Sequence, residues 1–158
     1  MRTWGGINSP PVETACEQGL FSWNLRVYFE DTDAGGIVYY ANFLKFFERC
    51  RTEWLRALGV EQTRLATQAR LQFVVAQVGV DYLRPARLDD DLTITARIGE
   101  LARSYLVFDQ RALRGAELLA QAKVKVACVD TVRLAPARLP AELTAALNAG
   151  RNSQERHQ

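Results

Sequence analysis

Apolar and polar residues alternate from Trp23 to Glu30, with Trp23, Leu25, Val27 and Phe29 on one side and Asn24, Arg26, Tyr28 and Glu30 on the other, which predicts a strand. The period then changes. Phe43, Phe46, Phe47, Cys50, Trp54 and Leu58 recur at helical spacing, so a long helix with one wide apolar face follows, and Gly59 is its natural stop. Residues 61–69 are polar and read as partly helical. Alternation returns from Leu71 to Leu83, with Val74, Ala76, Val78, Val80 and Tyr82 sharing a face until Arg84-Pro85-Ala86 breaks the run. Leu92, Ile94, Ala96 and Ile98 alternate with Thr93, Thr95 and Arg97 in a further strand. Residues 104–113 and 119–129 give two more, joined around Arg114-Gly115-Ala116-Glu117, with Ala120, Ala122, Val124, Val126 and Cys128 on one apolar face. Pro140-Ala141-Glu142 opens a short helix that reaches about Ala149, where Gly150 ends it. Strand, helix and four strands in that order make an α+β domain whose antiparallel sheet wraps a single helix.

Composition bounds what such a domain does. A chain of 158 residues, 48% apolar and 24% charged, is enough for one soluble domain. Residues 1–20 are expected to be a flexible extension, 21–140 the folded domain, and 141–158 a short helix with a flexible tail. A formal charge of +2, from 20 basic and 18 acidic residues, lacks the basic stripe of a nucleic-acid protein. No apolar run has signal-peptide or membrane-spanning length, so a cytoplasmic chain without an integral membrane segment is expected. Cys16, Cys50 and Cys128 are odd in number and widely spaced, which fits neither a disulfide framework nor a metal cluster; Cys50 and Cys128 fall on apolar faces as small hydrophobes. The single histidine, His157, sits in the terminal tail, which leaves Ser-His-Asp and Cys-His nucleophiles without a base and a histidine-ligated zinc without ligands. Asp89-Asp90-Asp91 is expected to be a solvated turn, because consecutive side chains of an extended segment point in opposite directions and no glycine-centred calcium loop surrounds them.

The strand meets the long helix at Glu30-Asp31-Thr32-Asp33-Ala34-Gly35-Gly36-Ile37-Val38-Tyr39-Tyr40. Asp and Gly at a strand end commonly make a turn or cap a helix. The same junction also suits acyl transfer. The first turn of a helix offers N–H groups and a positive dipole end to a carbonyl oxygen that gains negative charge. Gly35 and Gly36 let a substrate lie close to the main chain, and Asp33 faces the same atom. A carboxylate is charged at neutral pH without a partner, and attacks a carbonyl or deprotonates water. Esters and amides need a proton donor for their leaving group, whereas a thiol with an ordinary pKa of about 8.5 departs as thiolate. A thioester is therefore the substrate that one carboxylate and an oxyanion site handle without histidine. For this chemistry the Asp33 side chain has to face a cleft that reaches the start of the helix.

The run from Val27 to Phe43, followed by Phe47-Glu48-Arg49-Cys50-Arg51-Thr52-Glu53-Trp54-Leu55-Arg56, resembles the signature of the 4-hydroxybenzoyl-CoA thioesterase family of hotdog proteins. The likeness is greatest to its YbgC-type branch, the acyl-CoA thioesterases associated with the Tol-Pal system. Val80 to Asp90 and Val126-Ala127-Cys128-Val129-Asp130 extend it over about residues 22 to 140. The resemblance implies a hotdog fold, a five-stranded antiparallel sheet around one long central helix, paired edge to edge into a homodimer or homotetramer. It implies an acyl-CoA substrate with no separate cofactor, coenzyme A being part of the substrate, and no metal. By the same resemblance Asp33 is the catalytic carboxylate and the Tyr40 backbone N–H polarises the thioester carbonyl, with Gly35, Gly36, Val38 and Tyr39 as substrate-contacting positions. Many YbgC-type sequences carry histidine where this chain has Tyr40; the 4-hydroxybenzoyl-CoA enzymes carry tyrosine. Arg103 and Ser104 align with a basic-serine pair that meets the nucleotide, although two neighbouring basic positions are Leu101 and Ala102 here, and Arg84 and Arg87 are possible helpers. Glu48, the carboxylate another hotdog branch would use, sits among Arg49, Arg51 and Arg56, as in a structural ion pair; Asp31 reads as a turn residue. Two alternatives stay open: hydrolysis of acyl groups on acyl carrier protein, and a non-catalytic hotdog module that binds an acylated ligand or a partner.

Overall fold

The computed structural model describes residues 19–155. Strands β1 (Phe21–Arg26), β2 (Leu71–Tyr82), β3 (Asp91–Leu101), β4 (Tyr105–Arg114) and β5 (Glu117–Asp130) form one antiparallel sheet in the order β1-β3-β4-β5-β2. Helix α1 (Asn42–Ala57) lies on its inner face, and helix α2 (Ala141–Glu155) closes the chain. The α+β arrangement expected from the strand and helix periods is the one adopted, and it is the hotdog fold that the resemblance implies. No helix among the described residues is long and apolar enough to cross a membrane.

The pattern of α1 explains its seat. Phe43, Phe46, Phe47, Cys50, Trp54 and Leu55 are its buried residues, one stripe of the cylinder. Against them the sheet presents alternate residues of β3, β4 and β5, among them the fully buried Ile94, Ala96, Ala112 and Ala120. Alanines in that surface let a helix rich in phenylalanine approach the sheet closely. Trp54 meets Phe108 edge to face at 5.1 Å and 87°. Cys50 is fully buried and its thiol is pushed up to about 12, chiefly by burial, so it packs as a small hydrophobe.

One polar side chain enters this core. Gln110 of β4 is only 1% exposed. Its Nε2 donates to the Phe47 carbonyl at 3.0 Å, and its Oε1 accepts from Arg51 Nη1 at 2.9 Å. Gln110→Leu leaves the half-buried guanidinium without that acceptor, so unfolding free energy is expected to fall by about 1–3 kcal/mol. Urea denaturation followed by far-UV circular dichroism measures it, with an unchanged m-value showing that only stability moved.

Four elements differ from expectation. β1 ends at Arg26, the last residue paired with β3, and the chain turns into a single 3-10 turn at Phe29–Asp31. Phe29 is therefore 81% exposed instead of lying on the inner face, while Val27 stays buried by exchanging backbone hydrogen bonds with the 89–90 loop. In β2 the register with β5 slips between Val75 and Gln77, which makes Ala76 a bulge. One extra residue flips the parity, so Phe73, Val75, Val78, Val80 and Tyr82 stand opposite the inward residues of β5 and Val74 opposite the half-buried Ala127. Asp90 is not solvated: Arg114 Nη1 reaches it at 2.6 Å and the Arg87 N–H at 2.9 Å. α2 runs through Gly150 to Glu155, since one glycine inside a helix costs only about 1 kcal/mol. Residues 1–18 of the N-terminal extension, with Cys16, and His157 in the tail lie outside the described residues.

β2 is an edge strand whose inner face is left open. α1 lies over the strands on the β1 side, and Val75, Val78 and Tyr82 remain 52%, 42% and 44% exposed. A long apolar edge strand is a surface on which another strand pairs.

Candidate active site

The junction between β1 and α1 folds as a small two-stranded ribbon. The Tyr39 N–H donates to the Asp31 carbonyl at 3.0 Å, Thr32 bridges Val38, and the Asp33 N–H donates to the Ile37 carbonyl at 2.8 Å. Gly36, at φ +78°, makes the reversal, a conformation side chains disfavour. Behind the ribbon the Val38 N–H donates to the buried Ala86, at 2.8 Å, and Ile37 bridges Arg87. Arg114 fixes that backing loop to the β4–β5 turn through Asp90 and Glu117, and Arg84 also reaches Glu117. The hydrogen bonds from Arg84 and Arg114 hold Glu117 below the usual carboxylate range.

Asp33 is exposed, and its Oδ1 accepts from the N–H of Gly35 at 2.8 Å and of Ile37 at 3.4 Å. A Cβ on Gly35 would sit 3.2 Å from that oxygen, so the missing side chain makes room for Asp33 rather than for a ligand. At the helix entrance the N–H groups of Asn42, Phe43 and Leu44 already donate to the carbonyls of Tyr39, Tyr40 and Ala41. The Tyr40 N–H has no acceptor among the described residues. Two side chains that the sequence did not single out hold this entrance. Asn42 Nδ2 donates to the Asp31 carbonyl at 2.8 Å, and the Tyr82 hydroxyl donates to the Tyr40 carbonyl at 3.0 Å. Burial, then the neighbouring Tyr40, pushes the Tyr82 phenol up, which keeps it protonated as that donor. The rings of Tyr39, Tyr40, Tyr82 and Phe43 pack in sequence at centroid separations of 4.9, 5.9 and 5.7 Å. Asn before a phenylalanine stripe was the one available signal for the first clamp.

Asp33, Gly35, Gly36, Tyr39, Tyr40 and Arg87 therefore meet in one place. Other expected features are placed differently within a single chain. The Val38 side chain is 4% exposed and belongs to the core, leaving it nothing to offer a ligand. Arg103 and Ser104 form the β3–β4 turn, where Ser104 accepts from the Cys128 N–H and Arg103 from the Leu139 N–H. That turn adjoins Tyr105, in register with Ala127, whereas Tyr82 is in register with Ala120 beside Ala112, so the two lie at opposite ends of the sheet. The span from Ala112 to Tyr105 along β4 is roughly 24 Å. Asp33 and Tyr40 line neither the slot beside α1 nor two wider clefts among the described residues. Glu48 makes no ion pair with its neighbouring arginines; its Oε1 accepts from the Thr52 hydroxyl at 2.6 Å, and Arg56 pairs with Glu53 instead.

Residues 27–147 match the model of the thioesterase-like superfamily. The chain belongs to that superfamily. Its class is accordingly that of a thioester-hydrolysing enzyme. Among members of the superfamily, the protein named acyl-CoA thioesterase YbgC from Haemophilus influenzae is 45% identical over 128 residues, covering 81% of this chain and 94% of that protein. The acyl-CoA thioester hydrolase YbgC of Escherichia coli O6:H1 is 46% identical over 127 residues, with 80% and 94% coverage. A solved Bartonella henselae structure described as a probable thioesterase superposes with a TM-score of 0.73 at 40% identity, over 77% of this chain and 99% of that one. The superfamily match spans the ribbon, α1, strands β2 to β5 and the first half of α2, so the Asp33 ribbon lies inside it and not in an appended segment.

Proposed function

We propose that this chain hydrolyses acyl-CoA thioesters, with Asp33 as nucleophile or general base and the Tyr40 backbone N–H as oxyanion donor. The observation that carries the proposal is the rigid ribbon that holds an exposed carboxylate beside a helix entrance with one N–H left undonated. The names of the YbgC relatives supply the substrate class. In the general-base route Asp33 takes a proton from water as its oxygen bonds to the acyl carbon; the C–S bond then breaks and coenzyme A leaves as thiolate. In the nucleophilic route an Asp33 oxygen forms that bond first, the C–S bond breaks with coenzyme A leaving as thiolate, and water hydrolyses the resulting anhydride to the free acid and the Asp33 carboxylate. Either way the developing oxyanion is met by the Tyr40 N–H, and no cofactor is called for.

The site needs a second copy of the chain. β2 leaves its edge unpaired and its inner face apolar, and antiparallel pairing of two such edges sets the Tyr82 end of one strand against the Leu71 end of the other. The β3–β4 turn of one copy, with Arg103 and Ser104, is thereby carried toward the Asp33 ribbon of the other. A homodimer so formed walls the open surface beside Tyr40 into a cleft.

Thiol release from short, long and aromatic acyl-CoAs, and from acyl carrier protein thioesters in parallel, tests the activity. Turnover of the CoA thioesters well above the uncatalysed rate is expected. Binding of a non-hydrolysable thioether analogue with no thiol release from any substrate would establish a binding module instead.

A further inference from the structure

Between the flank of α1 and β2, β4 and β5 lies a slot of about 100 Å³, with walls formed by Leu55, Phe73, Val75, Leu106 and Phe108. Its volume equals on the order of three waters at ~30 Å³ each, enough for the last few atoms of a chain and not for a whole acyl group. Arg51 also lines it. The guanidinium is half-buried, donates through Nη1 to the deeply buried Gln110, and makes no ion pair among the described residues. An arginine has five N–H donors in a planar fork; one here is held by the glutamine, and since no buried side-chain nitrogen among the described residues lacks a partner, the others are open to water or to a ligand that displaces it. Burial holds this guanidinium below its ordinary value, which marks the side chain as partly desolvated.

The remaining charge on the slot is Glu48. It is exposed, and its Oε1 is engaged by Thr52, so it forms the solvent rim while Arg51 reaches inward to the sheet. Phe73 and Val75 of the slot belong to the edge strand, whose other end carries Tyr82 against the helix entrance. Along the helix Arg51 lies roughly 16 Å beyond Tyr40 at 1.5 Å per residue, and helical side chains lean back toward the N-terminus. The distance suits an acyl group of medium length.

Resting on the thioesterase reading above, we propose that this slot receives the far end of the acyl group and that Arg51 pairs there with a carboxylate, so that ω-carboxyacyl thioesters are preferred over methyl-ended ones. A carboxylate matches the fork with two parallel hydrogen bonds, and the apolar walls exclude the water that would screen it.

The test compares suberoyl with octanoyl groups, first as non-hydrolysable thioether analogues of acyl-CoA by titration calorimetry. The carboxyl-ended analogue is expected to bind roughly 10- to 100-fold more tightly to the parent protein. Arg51→Met, which keeps length without charge, is expected to abolish that preference while binding of the methyl-ended analogue holds; Arg51→Lys is expected to retain part of it. Equal binding of the two analogues by the parent overturns the proposal without recourse to any variant, and so does an equal loss for both in Arg51→Met. Turnover of suberoyl-CoA and octanoyl-CoA then separates the two readings. Preferential binding without turnover sinks the hydrolase and leaves the slot standing; turnover without preference does the reverse.

Discussion

Asp33→Asn is expected to lower kcat/KM for the best acyl-CoA by at least about 10²-fold while leaving the thermal midpoint nearly unchanged. The substitution separates charge from shape. An asparagine Oδ1 still accepts from the N–H groups of Gly35 and Ile37, so the ribbon keeps the hydrogen bonds that shape it. What is lost is the negative charge that removes a proton from water or bonds to the acyl carbon. Asp33→Ala is the poorer experiment: it forfeits both hydrogen bonds, about 0.5–1.5 kcal/mol each, and frees the ribbon to move. Thiol-release kinetics with a parallel melt decide the matter. An Asn variant as fast as the parent would remove Asp33 from the chemistry and leave Glu48 as the carboxylate to examine.

The fold was legible because the two periods are clean. The helix stripe from Phe43 to Trp54 and the alternations in β3, β4 and β5 each bury one face, and each is in place. Where expectation and structure part, a backbone event decided and side-chain pattern had no hold on it. The bulge at Ala76 leaves Val74, Val75 and Val78 all apolar, so either parity reads as a strand from the sequence, and only the register with β5 chooses between them. Phe29 is apolar but lies beyond the last residue that β3 pairs. Asp90 looked solvated in a run of three aspartates because its partner, Arg114, is contributed by a strand end well along the chain.

The site divides in the same way. Local features were readable: a turn at the Asp-Gly run and the start of the helix after it, though not the two-stranded ribbon that Gly36 reverses. Features made by distant segments were not. Tyr82 reads as a core position on an alternating strand, yet its hydroxyl holds the Tyr40 carbonyl. Gln110 and Arg51 look like surface residues in sequence and meet under the helix. Arg103 and Ser104 match a motif but sit at the other end of the sheet, a separation that alternation cannot express.

That separation makes the edge strand the second large effect. Val78→Lys is expected to convert a dimer into a monomer and to reduce kcat/KM by at least about 10²-fold, with the fold of each chain preserved. Val78 is 42% exposed in the single chain, so a lysine there keeps its charge in water and costs the monomer little. In a pair joined along β2 the same residue, on the inner face near the middle of the strand, brings two ammonium groups into a closing apolar surface, where unpaired charge costs several kcal/mol. Activity falls with association because a lone chain leaves Tyr40 and Asp33 facing bulk water, with Arg103 and Ser104 out of reach. Gln72→Lys, on an exposed position of the same strand, serves as the control that retains both. Sedimentation velocity gives the mass, circular dichroism the fold, and thiol release the rate. A Val78→Lys protein that stays dimeric and active places the interface elsewhere, and a parent that is active as a monomer removes the second copy from the site altogether.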